Sequence, residues 1–214
     1  MTHRMSLISL VALGALLAGC ARDGEIDSTG GVSITRSACP AVGVPAFTGD
    51  ITTFNPPSSR DSRAIDVVAT LTTVRSTCSE AASDVVVNAT FEVQARRQSA
   101  QGARDVVIPY FATVVQGGRI VVSKSISRVS VHFDDGQLRA TTSGAASAAV
   151  TRTAATLPED IRERITRKRK AGDDDAAIDP LADPVVREAV ARTSFELLIG
   201  FQLTQAELQY NATR

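Results

Sequence analysis

The chain has 214 residues, no tryptophan, and 23 basic against 23 acidic side chains. A formal charge of zero argues against a nucleic-acid partner, which needs a basic surface to displace counterions. The length suffices for one domain with a real core, and the dominance of Val, Ala, Thr and Ser suits β-strands.

The first segment reads as targeting, not structure. His3 and Arg4 form a short, weakly charged start, and Leu7 to Leu17 is apolar apart from Ser9 and Gly14. A spanning helix needs roughly 20 apolar residues, so this stretch is too short to cross a membrane and has the length of an export signal. It ends in Leu17-Ala18-Gly19-Cys20, which resembles the lipobox of bacterial lipoproteins. The resemblance implies that residues 1–19 are a cleaved signal peptide and that Cys20 is acylated, holding the chain to a membrane. Several acyl chains anchor stably where one does not. An ordinary secretory signal with a chance cysteine is the alternative. In enterobacterial lipoproteins an aspartate after the cysteine favours the inner membrane; Ala21 points, by that analogy, to the outer membrane, facing the periplasm. Residues 20–37 are rich in Gly, Ser, Thr and charge and read as a flexible tether, with the domain over 38–214.

Once Cys20 is given to lipid, Cys39 and Cys78 remain. An even pair in an oxidising compartment reads as a disulfide. It would close a loop of roughly 40 residues and contribute up to about 4 kcal/mol in the chain-entropy account. Two free buried thiols are the alternative; the spacing fits neither a zinc nor a thioredoxin motif.

Period-2 alternation is the leading signal in the domain. Val42 to Phe54 supplies a short first strand broken by Pro45 and Gly49. Ile65, Val67, Ala69 and Leu71 alternate, and the parity then slips towards Val74 and Cys78, which suggests a bulge. Val85, Val87, Ala89, Phe91, Val93 and Ala95 share one face, with Asn88, Thr90, Glu92, Gln94 and Arg96 on the other: a half-buried strand. Val106 to Val115 is apolar on both faces, but Pro109 lacks a ladder donor and implies an edge or irregular site. Gly117-Gly118 signals a two-residue hairpin leading into Ile120-Val121-Val122 and on to Val129, Val131 and Phe133. Asp134-Asp135-Gly136 turns the chain into a return strand from Gln137 to Thr142. Phe195, Leu197, Ile199, Phe201 and Leu203 alternate in the last strand.

Leu157 to Arg192 departs from this period. Pro158-Glu159-Asp160 opens a helix, Arg167-Lys168-Arg169-Lys170 places cations in its last turn, and Gly172 can end it, an order that complements the helix dipole. Asp173-Asp174-Asp175 is an acidic turn before a second helix opened by Asp183-Pro184. The predicted fold is all-β: an antiparallel immunoglobulin- or fibronectin type III-like sandwich of about seven strands, with a helical insertion over 157–192 before the last strand. A barrel is the alternative.

Three stretches carry a family resemblance: Cys39-Pro40, Val107-Ile108-Pro109-Tyr110-Phe111, and Phe195 to Thr204 extended by Glu207-Leu208 and Tyr210-Asn211. On these the chain is similar to a set of small alphaproteobacterial lipoproteins of unassigned function. The helical insertion departs from that pattern. The resemblance implies an envelope lipoprotein and no particular activity.

Candidate chemistry is sparse. His3 leaves with the signal, so His132 is the one histidine of the mature chain, on the polar face of a strand and without a nucleophile-elbow motif for a hydrolase. Asp173, Asp174, Asp175 and Asp179 could attract a hard cation but lack the glycine and terminal glutamate of an EF-hand loop; a solvated charge run is the alternative. Arg162, Arg164, Arg167, Lys168, Arg169 and Lys170 could meet anionic lipid or an acidic partner, or simply form the end of a capped helix. Asn88-Ala89-Thr90 and Asn211-Ala212-Thr213 match a glycosylation sequon by chance. No catalytic, metal or cofactor set is expected. The expected function is that of a non-enzymatic, membrane-anchored accessory subunit binding another envelope protein. A carrier of a lipophilic ligand and an envelope enzyme are the alternatives.

Overall fold

A computed structural model describes residues 37–167, 172–175 and 177–213. The expected signal peptide, Cys20 and the tether as far as residue 36 lie outside the described residues, as do Lys168 to Lys170. Eight strands and four helices follow in chain order: β1 (Ala41–Gly43), β2 (Asp50–Phe54), β3 (Ile65–Glu80), β4 (Asp84–Arg97), β5 (Arg104–Gln116), β6 (Ile120–Phe133), β7 (Arg139–Thr151), α1 (Arg152–Ala155), α2 (Glu159–Thr166), α3 (Pro184–Thr193), β8 (Phe195–Phe201) and α4 (Gln205–Thr213).

The strands form two four-stranded sheets, ordered β1-β8-β5-β6 and β2-β3-β4-β7. Every neighbouring pair is antiparallel except β1 with β8. The expected alternation of β4 holds: Val85, Val87, Ala89, Phe91, Val93 and Ala95 are buried while Asn88, Thr90, Gln94 and Arg96 face water. One core cluster draws on both sheets, with Val67, Leu71 and Phe91 from one and Ile108, Phe133, Leu197, Ile199 and Phe201 from the other. The sheets are joined by Tyr110, which meets the Phe91 ring edge-on at 5.0 Å between centroids and donates its hydroxyl to the Ala145 carbonyl at 2.7 Å.

Local irregularities follow from local chemistry. The broken first strand is two strands, β1 and β2. The slip in β3 is a register shift between Thr72 and Arg75, with Thr73 at a φ of 52°. The glycine hairpin is a three-residue connection instead of the expected two: Gly117 and Gly118 both hold a positive φ, and the Arg119 N–H donates to the Gln116 carbonyl at 3.2 Å. Pro109 does not mark an edge strand, since β5 lies between β6 and β8. The ladder to β8 begins at Tyr110, opposite Phe201, so the missing N–H of Pro109 falls just past the end of the neighbouring strand. Its carbonyl is still used, accepting from the Gln202 N–H at 2.9 Å.

Two compact units divide the chain: Ser37–Pro158 with Pro184–Arg214, and a second whose described part is Glu159–Asp183. The helical segment between β7 and β8 is thus shared out. α3 belongs with the sheets and buries Val186 and Ala189. In the second unit, α2 carries Glu159 and Asp160 in its first turn and buries Ile161 and Ile165. Arg164 pairs there with Asp183 and Arg167 with Asp175.

α4 was not expected. Its start is a capping box: Thr204 N–H donates to the Glu207 carboxylate at 2.7 Å, and Glu207 N–H donates back to the Thr204 hydroxyl at 3.3 Å. Its other end is pinned to the β2 region. The Asn211 amide donates to the Phe47 and Asp50 carbonyls at 2.9 and 2.7 Å, and Tyr210 packs edge-on against Phe54.

Candidate functional site

The site begins with a change of character along β6. On the inward face, Val129, Val131 and Phe133 are buried in the core. Two-residue alternation places Ser127, Ser125 and Ser123 on that same face further along, where the strand has left the core and every residue is exposed. The opposite face of this half carries Lys124, Ile126 and Arg128. The strand has therefore reversed its polarity, with serine turned inward and an isoleucine turned to solvent.

Large apolar side chains cluster there. Ile120 and Val121 are each 62% exposed, Val122 55% and Ile126 58%. Ile126 lies directly across from Phe111, whose ring lies 5.2 Å from the Lys124 ammonium. None of Arg119, Lys124 and Arg128 pairs with a carboxylate among the described residues. β6 ends its sheet, so one backbone edge has no strand partner among the described residues. β7 ends the other sheet. Where the two edges diverge, a cleft of about 380 Å³ opens beside Tyr110, lined by Ser125, Ser127, Ala145 and Ser147. Hydroxyls and small side chains give a lipophilic ligand little apolar surface to bury.

The residues singled out in the sequence fall elsewhere. Cys39 and Cys78 are joined in a disulfide, with Cα atoms 6.1 Å apart, so the segment just before β1 is tied to β3. His132 sits between two carboxylates: Nδ1 lies 2.9 Å from Asp105 and Nε2 3.3 Å from Asp134. The hydrogen bond to Asp105, then its charge, raises the imidazole pKa above its ordinary value. Both ring nitrogens are thus taken up by carboxylates, a poor arrangement for a general base. Asp175 pairs with Arg167, and Asp179 caps a 3-10 turn by accepting from Leu181 N–H at 2.9 Å. No group of three acidic, histidine or cysteine side chains converges on a metal position among the described residues. Arg162 is held by Glu159 and Arg164 by Asp183, which neutralises much of the described part of the basic run. Of the sequon asparagines, Asn88 is exposed on β4 and Asn211 is the buried clamp of α4.

The reversed half of β6 was missed because apolar residues in a strand read as core. The run of Ser123, Ser125 and Ser127 at two-residue spacing was the signal that could have exposed it. Compared with known proteins, the chain matches no family model, no curated protein and no solved structure.

Proposed function

We propose that this chain is an envelope lipoprotein, tethered to the outer membrane through lipid on Cys20, whose β domain docks a protein partner without catalysing a reaction. In this reading the two sheets form a sandwich of the immunoglobulin or fibronectin type III kind. The observation that carries the docking role is the outer half of β6, where a strand edge without a strand partner among the described residues coincides with four strongly exposed apolar side chains, Ile120, Val121, Val122 and Ile126. Large apolar side chains left this exposed mark an interaction surface, and an unpaired edge accepts an added strand. The occupant fits an extended segment of another envelope protein. Its backbone would continue the sheet, its apolar side chains would cover Ile126 and Val122, and acidic residues between them would answer Lys124 and Arg128.

A photo-crosslinking residue at position 126 in intact cells tests this, with position 75 on the other sheet as control. One discrete adduct from position 126, absent from position 75 and lost when Lys124 and Arg128 are both changed to Glu, is the expected result. No adduct, or one indifferent to those charges, would overturn the docking role. Anchoring is tested separately: Cys20→Ser should abolish labelling by a clickable fatty acid, and continued labelling would refute it.

A further inference from the structure

The second sheet, β2-β3-β4-β7, presents a different surface. Its outer face is polar, and in its register Arg96 of β4 stands directly opposite Arg139 of β7. Directly opposed side chains on antiparallel strands have Cβ atoms roughly 5 Å apart, and like charges in that relation destabilise the pair. Neither guanidinium pairs with a carboxylate among the described residues. The nearby acids are already engaged: Asp66 with Arg104 at 3.0 Å, and Asp50 with the Thr70 hydroxyl at 2.6 Å. One step along the same face, Gln94 stands opposite Thr141. The four side chains line one open groove of about 600 Å³.

We propose that Arg96 and Arg139 form an oxyanion site that takes a phosphate-type group. An anion placed between the two guanidinium groups converts their repulsion into two charge-assisted contacts. The planar fork of arginine matches the geometry of phosphate oxygens. Gln94 and Thr141 add an amide N–H and a hydroxyl on the side of the groove away from the arginines. The same chemistry is offered by free phosphate and by the phosphodiester of a lipid headgroup.

Calorimetric titration of the full-length protein in nonionic detergent distinguishes these sources. The two probes are inorganic phosphate and glycerophosphoglycerol, the deacylated headgroup of phosphatidylglycerol, each against chloride at equal ionic strength. Saturable binding of at least one probe is expected, weakened about tenfold or more by Arg96→Gln or Arg139→Gln and unchanged by Arg75→Gln. Binding of phosphate alone identifies the free ion; binding of the phosphodiester identifies a headgroup. Removing one of two opposed charges should also leave the thermal midpoint at low salt unchanged or raised. Absence of binding to both probes, binding indifferent to both arginines, or a lowered midpoint in Arg139→Gln would overturn the proposal, the last by making the arginine a structural residue.

Discussion

Arg97 is buried against Phe133, its guanidinium carbon 5.2 Å from the ring centroid. Its planar group donates to four backbone carbonyls: Gln137 and Gly102 at 2.7 Å, Ala100 and Asp134 at 2.8 Å. Two of these carbonyls lie in the β4–β5 connection and two in the β6–β7 connection, so one side chain at the end of β4 closes both. A buried charge without a carboxylate is tolerable here because carbonyl dipoles and the ring face surround it.

Arg97→Met should therefore cost about 3 kcal/mol or more in urea unfolding, because it removes four hydrogen bonds from a buried charged donor at once. Arg97→Lys, with three donors and no plane, should recover only part of this loss. A cost below about 1 kcal/mol for Arg97→Met would show that water replaces the guanidinium without penalty.

Gly144 lies opposite Phe91 in the β4–β7 register, and a Cβ at position 144 would overlap the Phe91 ring. The ring is fully buried and held edge-on by Tyr110, so it has little room to yield. Gly144→Ala should lower stability by about 1–3 kcal/mol, the usual cost of overpacking. Combined with Phe91→Leu, the effects should be less than additive, since the smaller side chain removes the overlap. Simple additivity would show that the strain lies elsewhere.

His132 gives a pH dependence of defined sign. Its folded pKa is raised, chiefly by the hydrogen bond to Asp105 and then by that carboxylate's charge. The stabilisation it contributes is thus fully present below the unfolded value of about 6.5 and is lost as pH rises through the folded pKa. Solvent exposure keeps the effect small, so NMR titration of the ring is the direct measurement. The midpoint should lie above that of a free histidine, and Asp105→Asn should lower it more than Asp134→Asn. A midpoint at or below the free value would contradict the paired geometry.

Much of this architecture was legible because a half-buried strand imposes a two-residue period on its sequence. The inward row of β4 from Val85 to Ala95 is of that kind; the glycines at 117 and 118 marked a turn for a different reason, their positive φ, though not its length. Of the two readings of Pro109, an edge or an irregular site, the edge fails because β5 is interior, and the proline sits where the ladder to β8 ends. α4 escaped notice although Thr204-x-x-Glu207 is a capping signature, since it follows directly on an apolar strand. The surfaces were least readable. That Arg96 faces Arg139 depends on pairing two strands 43 positions apart, and that Ile126 is uncovered depends on where β6 leaves the core. The first has no sign in local spacing; the second has only the run of Ser123, Ser125 and Ser127.

The segment Glu159–Asp183 forms its own compact unit, tied internally by the exposed pairs Arg164–Asp183 and Arg167–Asp175. Exposed ion pairs are worth about 0–1 kcal/mol each, so these hold a local shape more than they stabilise the chain. The strands on either side, β7 and β8, are already fixed by long ladders to β4 and β5. Closing a longer or shorter loop between fixed ends changes the entropy only slowly with length. Replacing Gly172 to Ala182 with a short Gly-Ser linker should therefore shift the thermal midpoint by less than about 4 °C, the equivalent of roughly 1 kcal/mol for a chain of this size. Unfolding should remain cooperative, and α3 should keep Val186 and Ala189 buried. Loss of a single cooperative transition would show instead that the acidic turn is needed to fold the sheets.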